Sequence, residues 1–76
     1  MVDLVEIRRA ADVTQVRLAA ALNTTQGQIS RIERQSDMLL STLSAYLTAL
    51  GVDASLIVEV GDQTMTYDLT KGRGAR

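Results

Sequence analysis

The stretch that most constrains this chain is residues 14–34, TQVRLAAALNTTQGQISRIER, which reads as two short helices joined by a tight turn. Thr14 offers a hydroxyl to the free amides of a first turn. Leu18, Ala19 and Leu22 then fall on one side of a helix with about 3.6 residues per turn. Asn23 stands at the break, where a short amide side chain tolerates the left-handed backbone that ends a helix without glycine. Thr24 and Thr25 offer the next N-cap, and Thr25 with Gln28 fits a hydroxyl-x-x-Gln capping box. The second helix is expected to begin there.

With each residue turned about 100° from the last, Ile29 and Ile32 define the buried side of the second helix. Gly27, Ser30, Arg31 and Arg34 point the opposite way, with Gln26 and Gln28 on the flanks. Glu33 is the only acid in the stretch. An outward face of small, polar and cationic groups with no acid at its centre suits an electronegative groove, and so points to DNA.

These residues resemble the helix-turn-helix of the Xre class, shared by lambdoid phage repressors and many bacterial antitoxins. The resemblance runs from about Ile7 to Leu50, with Gln15, Leu18, Ala19, Ile29, Ser30, Ile32 and Glu33 at the family's spacing. It implies a mostly α fold, a lambda-repressor-like bundle of about four helices, here followed by a C-terminal β-hairpin.

Composition narrows the function. A chain of 76 residues is one domain near the lower size limit for a self-sufficient core. With two Tyr and no Phe or Trp, that core must be mostly Leu, Ile, Val and Ala, and dimerisation is the expected support. The absence of Cys and His removes disulfides, thiolate metal sites and the usual nucleophile and base residues. No catalytic residue, metal or cofactor is expected, and no enzyme activity. No apolar run approaches the roughly 20 residues that span a bilayer, and no basic-then-apolar signal pattern opens the chain. A cytoplasmic protein without membrane contact is expected. The net charge of −1 does not help a nucleic-acid binder, but local cation density decides phosphate affinity, and Arg17, Arg31 and Arg34 cluster in the motif.

In chain order, Asp3 can cap a first helix with Glu6 three residues on, and the helix is expected to run to about Ala11 with Leu4, Ile7 and Ala11 inward. Asp12 and Val13 form the link, Val13 plugging the core. After Arg34, QSDML lacks periodicity and reads as a loop; Ser41 is then expected to cap a helix through Leu50. Leu43, Tyr46, Leu47 and Leu50 form its apolar stripe, and Gly51 suits its C-terminal cap. Tyr46 reads as core, with stacking on a base as the alternative.

From Ala54 the period changes to two. A Gly61-Asp62 turn, glycine first as a type II′ turn prefers, pairs Val58 with Met65, Leu56 with Tyr67 and Ala54 with Leu69. The apolar pairs share one face, which either covers the helices or meets a partner; the exposed edge of the hairpin pairing across a two-fold axis is the alternative to that face roofing the helices. The organisation expected is residues 1–52 for DNA binding, 53–70 for a hairpin that dimerises or covers the core, and 71–76, KGRGAR, as a disordered basic tail.

The Xre resemblance assigns roles. It places the second helix of the motif in the major groove, whose donor and acceptor pattern distinguishes the base pairs. Thr25, Gln26, Gln28, Ser30 and Arg31 are the base-reading candidates, although Gln28 could instead fold back as the capping-box side chain. Gly27 departs from the phage pattern, which often has a longer polar reader there. Gln15, Arg17 and Arg34 are the phosphate candidates, with Gln15 also bracing Gln26. Arg8 stands where the class carries an arginine that pairs with the glutamate at Glu33's position; two solvated charges are the alternative. A dimer on an inverted-repeat operator follows, with half-site centres roughly 34 Å apart or a multiple of it.

RIERQSDMLLSTLSAYLTALG followed by a strand pair, covering Arg31 to Leu69, is most similar to HigA-type antitoxins of bacterial toxin-antitoxin operons. That implies autorepression together with neutralisation of a toxin, commonly an mRNA-cleaving ribonuclease. Many such antitoxins carry an additional N-terminal helical segment that can hold the toxin, whereas this chain starts at the first helix of the DNA-binding core. Either such a segment has been removed or the toxin binds elsewhere. The alternatives are a free-standing Xre-family repressor without a toxin, and a protein-interaction module on the same fold.

Overall fold

A computed structural model describes residues 3–70 and shows four helices followed by a two-stranded antiparallel hairpin. The helices are α1 (Leu4–Ala10), α2 (Gln15–Ala21), α3 (Gln26–Arg34) and α4 (Leu40–Leu50); the strands are β1 (Ser55–Val60) and β2 (Gln63–Asp68). The expected basic tail, 71–76, lies outside the described residues.

Short polar side chains start the first three helices. The carboxylate of Asp3 accepts the Glu6 amide at 3.2 Å, the Thr14 hydroxyl accepts that of Arg17 at 3.1 Å, and the Thr25 hydroxyl accepts that of Gln28 at 3.2 Å. Each satisfies one of the amides a helix start leaves unpaired. Asn23 has φ 58°, so the left-handed step between α2 and α3 falls where the sequence places it. Asp12, at φ 61°, makes a second left-handed step between α1 and α2 that the sequence reading did not anticipate.

The start of α4 differs from expectation. Leu39, not Ser41, is the N-cap residue, and no side chain closes that end. Ser41 lies inside the first turn, because the helix starts two residues earlier: the Leu39 carbonyl accepts the amides of Thr42 and Leu43 at 3.0 and 3.1 Å. At the other end Gly51 adopts φ 78°, the left-handed cap that glycine takes without a steric penalty.

One core holds the helices together. Leu4 from α1, Leu18 and Ala19 from α2, Ile29 from α3, and Tyr46, Leu47 and Leu50 from α4 are buried. Ile7, Ala11, Val13, Leu22, Ile32 and Leu43 pack around them.

The hairpin joins this core only at its base. Val58 pairs with Met65 and Leu56 with Tyr67, and the Leu69 amide donates to the Ala54 carbonyl at 3.0 Å, continuing the expected register. Gly61 has φ 61° while Asp62 is not among the positive-φ residues, which is the type II′ pattern. Ala54 and Leu69 pack against the core, the Ser44 hydroxyl donates to the Leu69 carbonyl, and the Ala54 amide donates to the Thr70 hydroxyl at 3.2 Å. Beyond that point Leu56, Val60 and Tyr67 are 41%, 56% and 54% exposed, so the outer part of the apolar face does not roof the helices.

Candidate nucleic-acid interface

The recognition surface is built outward from Glu33. This carboxylate lies on the inner flank of α3, and its side chain is only 3% exposed. A buried charge persists only if its oxygens are satisfied. Four bonds from three side chains do that. Arg8 of α1 donates from Nε to Oε2 at 2.6 Å and, more weakly, from Nη2 to Oε1 at 3.5 Å. Tyr46 of α4 donates its hydroxyl to Oε2 at 2.6 Å, and Gln15 of α2 donates Nε2 to Oε1 at 2.8 Å. Arg8 also donates Nη1 to the Val13 carbonyl at 3.0 Å, tying down the α1–α2 link. Among the described residues no buried side-chain nitrogen or oxygen is left without a partner.

Titration behaviour follows from this geometry. Burial pushes the Glu33 carboxyl up, but the bonds from Arg8, Tyr46 and Gln15 outweigh it and hold the group below its ordinary value. The bond to Glu33 raises Arg8 in turn. Burial, followed by the bond to Glu33, drives the Tyr46 phenol well above its ordinary value, so it remains a donor at physiological pH. The only acid of the helix-turn-helix is thereby turned inward and neutralised.

From this hub one arm reaches the surface. Gln15 accepts from Gln26 Nε2 at 3.2 Å through its Oε1, so the first residue of α3 is held by a side chain of α2 that is itself held by Glu33. Ile29, fully buried, anchors the middle of α3 from beneath. The solvent side of α3 carries Thr25, Gln26, Gln28 and Arg31, all exposed, and Ser30, half-buried. The Gln28 amide serves the Thr25 cap while the Gln28 side chain stays exposed, so the capping bond runs one way. Arg34 donates Nη1 to the Ser30 hydroxyl at 2.9 Å, one helical turn back. Arg17 is exposed on α2 beside this face, and Gln15 is half-buried.

Gly27 has open surroundings: a Cβ there would meet only the Thr25 hydroxyl, at 4.0 Å. Among the described residues, no contact requires glycine at that position.

Two of the bonds to Glu33 were absent from the sequence reading, which had Gln15 as a phosphate contact bracing Gln26 and Tyr46 as core. The bond from Gln15 to Glu33 joins positions 18 apart and that from Tyr46 joins positions 13 apart. A partial signal existed for Tyr46, because a tyrosine in an apolar helical stripe needs a partner for its hydroxyl. The fully buried ring also settles Tyr46 as core and unavailable for stacking on a base. Among the described residues, no group of acidic side chains could hold a metal ion, and no helix is long and apolar enough to cross a membrane.

A compact four-helix unit with a capped, internally braced and outwardly acid-free third helix defines a class, and sequence comparison agrees with it. The chain belongs to the helix-turn-helix family, of the Xre type, whose model matches residues 4–57. Its relatives include HigA antitoxins. It is 37% identical over 63 residues to the putative antitoxin HigA2 of Mycobacterium tuberculosis (strain ATCC 25618 / H37Rv), a match covering 80% of this chain and 62% of that protein. The chain thus spans less than two-thirds of the curated relative's length. Its fold is similar to that of a solved DNA-bound antitoxin HigA3, with a TM-score of 0.77 and 33% identity over 87% of this chain and 88% of that one.

Proposed function

We propose that this chain is a cytoplasmic, sequence-specific DNA-binding antitoxin. It binds an inverted-repeat operator as a homodimer, represses its own toxin-antitoxin operon, and neutralises a partner toxin of the mRNA-cleaving ribonuclease type. The observation that carries the DNA-binding reading is the bracing of Gln26 by Gln15 at the exposed start of α3, on a helix whose single acid is withdrawn into the core. A side chain held before its ligand arrives loses less freedom on binding. The likeness to a DNA-bound HigA3 supports the same reading, and the likeness to two HigA proteins supports the antitoxin role.

Gln26, Thr25, Gln28, Ser30 and Arg31 meet base edges. Gln15, Arg17 and Arg34 meet phosphates, which set register without reading sequence. Homodimerisation uses the uncovered apolar face of the hairpin, where Leu56, Val60, Met65 and Tyr67 lie open.

Selection from a random duplex pool, followed by affinity measurements over a salt series, tests this. An inverted repeat is expected to emerge, and Gln26→Ala and Arg31→Ala are each expected to lose about 1 to 3 kcal/mol of discrimination at one base pair. Co-purification with the product of the adjoining gene tests the toxin. Failure to enrich any sequence, with weak binding at every salt concentration, would leave α3 as a protein scaffold.

A further inference from the structure

We infer that Tyr46, which lies in the core and reaches no DNA, is a positioning residue: it holds Glu33 in place, and Glu33 fixes the donor and acceptor polarity of Gln26 through Gln15. This deepens the proposed DNA-binding function and rests on it.

Polarity is the heart of the matter. A glutamine carboxamide offers a carbonyl on one side and an amino group on the other, and free in water it has no reason to prefer either direction. Reading adenine needs one orientation, because the side chain must accept from the N6 amino group and donate to N7. An ionised carboxylate only accepts. Glu33 therefore obliges Gln15 to turn its Nε2 inward, which leaves Oε1 outward as the acceptor for Gln26. Gln26 must then spend one N–H of its Nε2 on Gln15, and it presents its carbonyl and its remaining N–H to the groove. That pair is the complement of adenine.

The chain of constraint reaches only as far as Glu33 is held. Arg8 and Tyr46 both converge on Oε2 at 2.6 Å, and Oε1 is thereby left facing Gln15. Arg8 contacts both oxygens through its guanidinium fork and is itself tied to the Val13 carbonyl. The phenol differs: it approaches from α4 on a ring that is 0% exposed, so its direction is set by core packing. Its single proton goes to the charged oxygen at 2.6 Å rather than to the Leu4 carbonyl at 3.3 Å, the charge-assisted bond being the stronger. The scaffold helix thus holds the carboxylate that decides which edge of Gln26 faces outward, at the end of three side-chain bonds in series.

Tyr46→Phe, which keeps the ring and its packing, tests the inference. In DNA binding, discrimination at the base pair that Gln26 reads is expected to fall about fivefold, the worth of about 1 kcal/mol from one hydrogen bond. Discrimination at the base pair read by Arg31, and the slope of affinity against salt, are expected to stay as in the wild type. Loss spread equally over all positions, or no loss at the Gln26 position, would overturn the inference. A second measurement needs no DNA: side-chain carboxamide NMR signals of Gln15 and Gln26 in the free protein. They are expected to shift and exchange faster in Tyr46→Phe than in the wild type. Unchanged signals would overturn the inference even with DNA binding intact. If wild type selects no sequence while the signals respond, the DNA-binding reading fails and the side-chain relay stands.

Discussion

Removing Arg8 probes the joint on which the recognition helix rests. Its partner Glu33 is 3% exposed, so Arg8→Met leaves a largely buried carboxylate without the cation it pairs with. Breaking a buried pair from one side costs about 3 to 5 kcal/mol. Here Tyr46 and Gln15 still donate to the carboxylate, which brings the loss below that range, to about 2 to 3 kcal/mol. The Val13 carbonyl also loses its donor. For a domain of this size that loss lowers the melting temperature by roughly 10 to 20 °C. Circular-dichroism melts at one protein concentration read it directly, a necessary control if the folded form is dimeric.

The pH dependence sharpens the same prediction. Glu33 is held below its ordinary value of 4.5, so its contribution is fully present above that pH and is lost as pH falls through its lower, folded-state value. In Arg8→Met burial is opposed by two donors instead of three, and the carboxyl takes its proton at higher pH. The gap between variant and wild type is therefore widest near neutrality and narrows in acid. Glu33→Gln in the same background is expected to recover part of the loss, because it removes the stranded charge. A melting temperature lowered by less than about 4 °C, under about 1 kcal/mol, would show that Glu33 is not a desolvated charge and would refute the reasoning.

Two further outcomes are accessible with the same methods. Leu56→Asp places a charge on the uncovered hairpin face and is expected to yield a monomer in sedimentation with a helix-turn-helix of nearly unchanged helicity; a dimer of unaltered stability would move the interface elsewhere. Gly27→Ala meets only open space, so it is expected to raise stability by about 0.5 to 1 kcal/mol. The same change is expected to weaken operator affinity, since the added methyl stands between helix and groove; affinity at wild-type level would show that the helix does not approach closely there.

Much of the fold was legible because its signals are local. Caps at Asp3, Thr14 and Thr25 depend on a side chain and an amide three positions on, and the left-handed steps at Asn23 and Gly51 on a single residue's tolerance. The register of the hairpin follows from a two-residue turn and a period of two, both confined to neighbouring positions. Where a local signal had competition it misled. Ser41 is a good capping residue, but Leu39 closes α4 because of where the chain leaves α3.

What the sequence by itself determined about this protein is therefore its helices, its turn chemistry and the face of α3 that looks outward, since each is written in residues a few positions apart. The Xre resemblance already paired Arg8 with Glu33 and set Gln15 against Gln26; only the tertiary structure brought Gln15 and Tyr46 onto the same carboxylate. Arg8, Gln15 and Tyr46 lie 25, 18 and 13 positions from Glu33, and they meet on one carboxylate because three separate helices pack around Ile29 and Leu18. It also decided that the hairpin's apolar face stands clear of the core beyond Ala54 and Leu69. Periodicity says that a face is apolar, whereas what covers it depends on bodies distant in the chain or on another chain altogether.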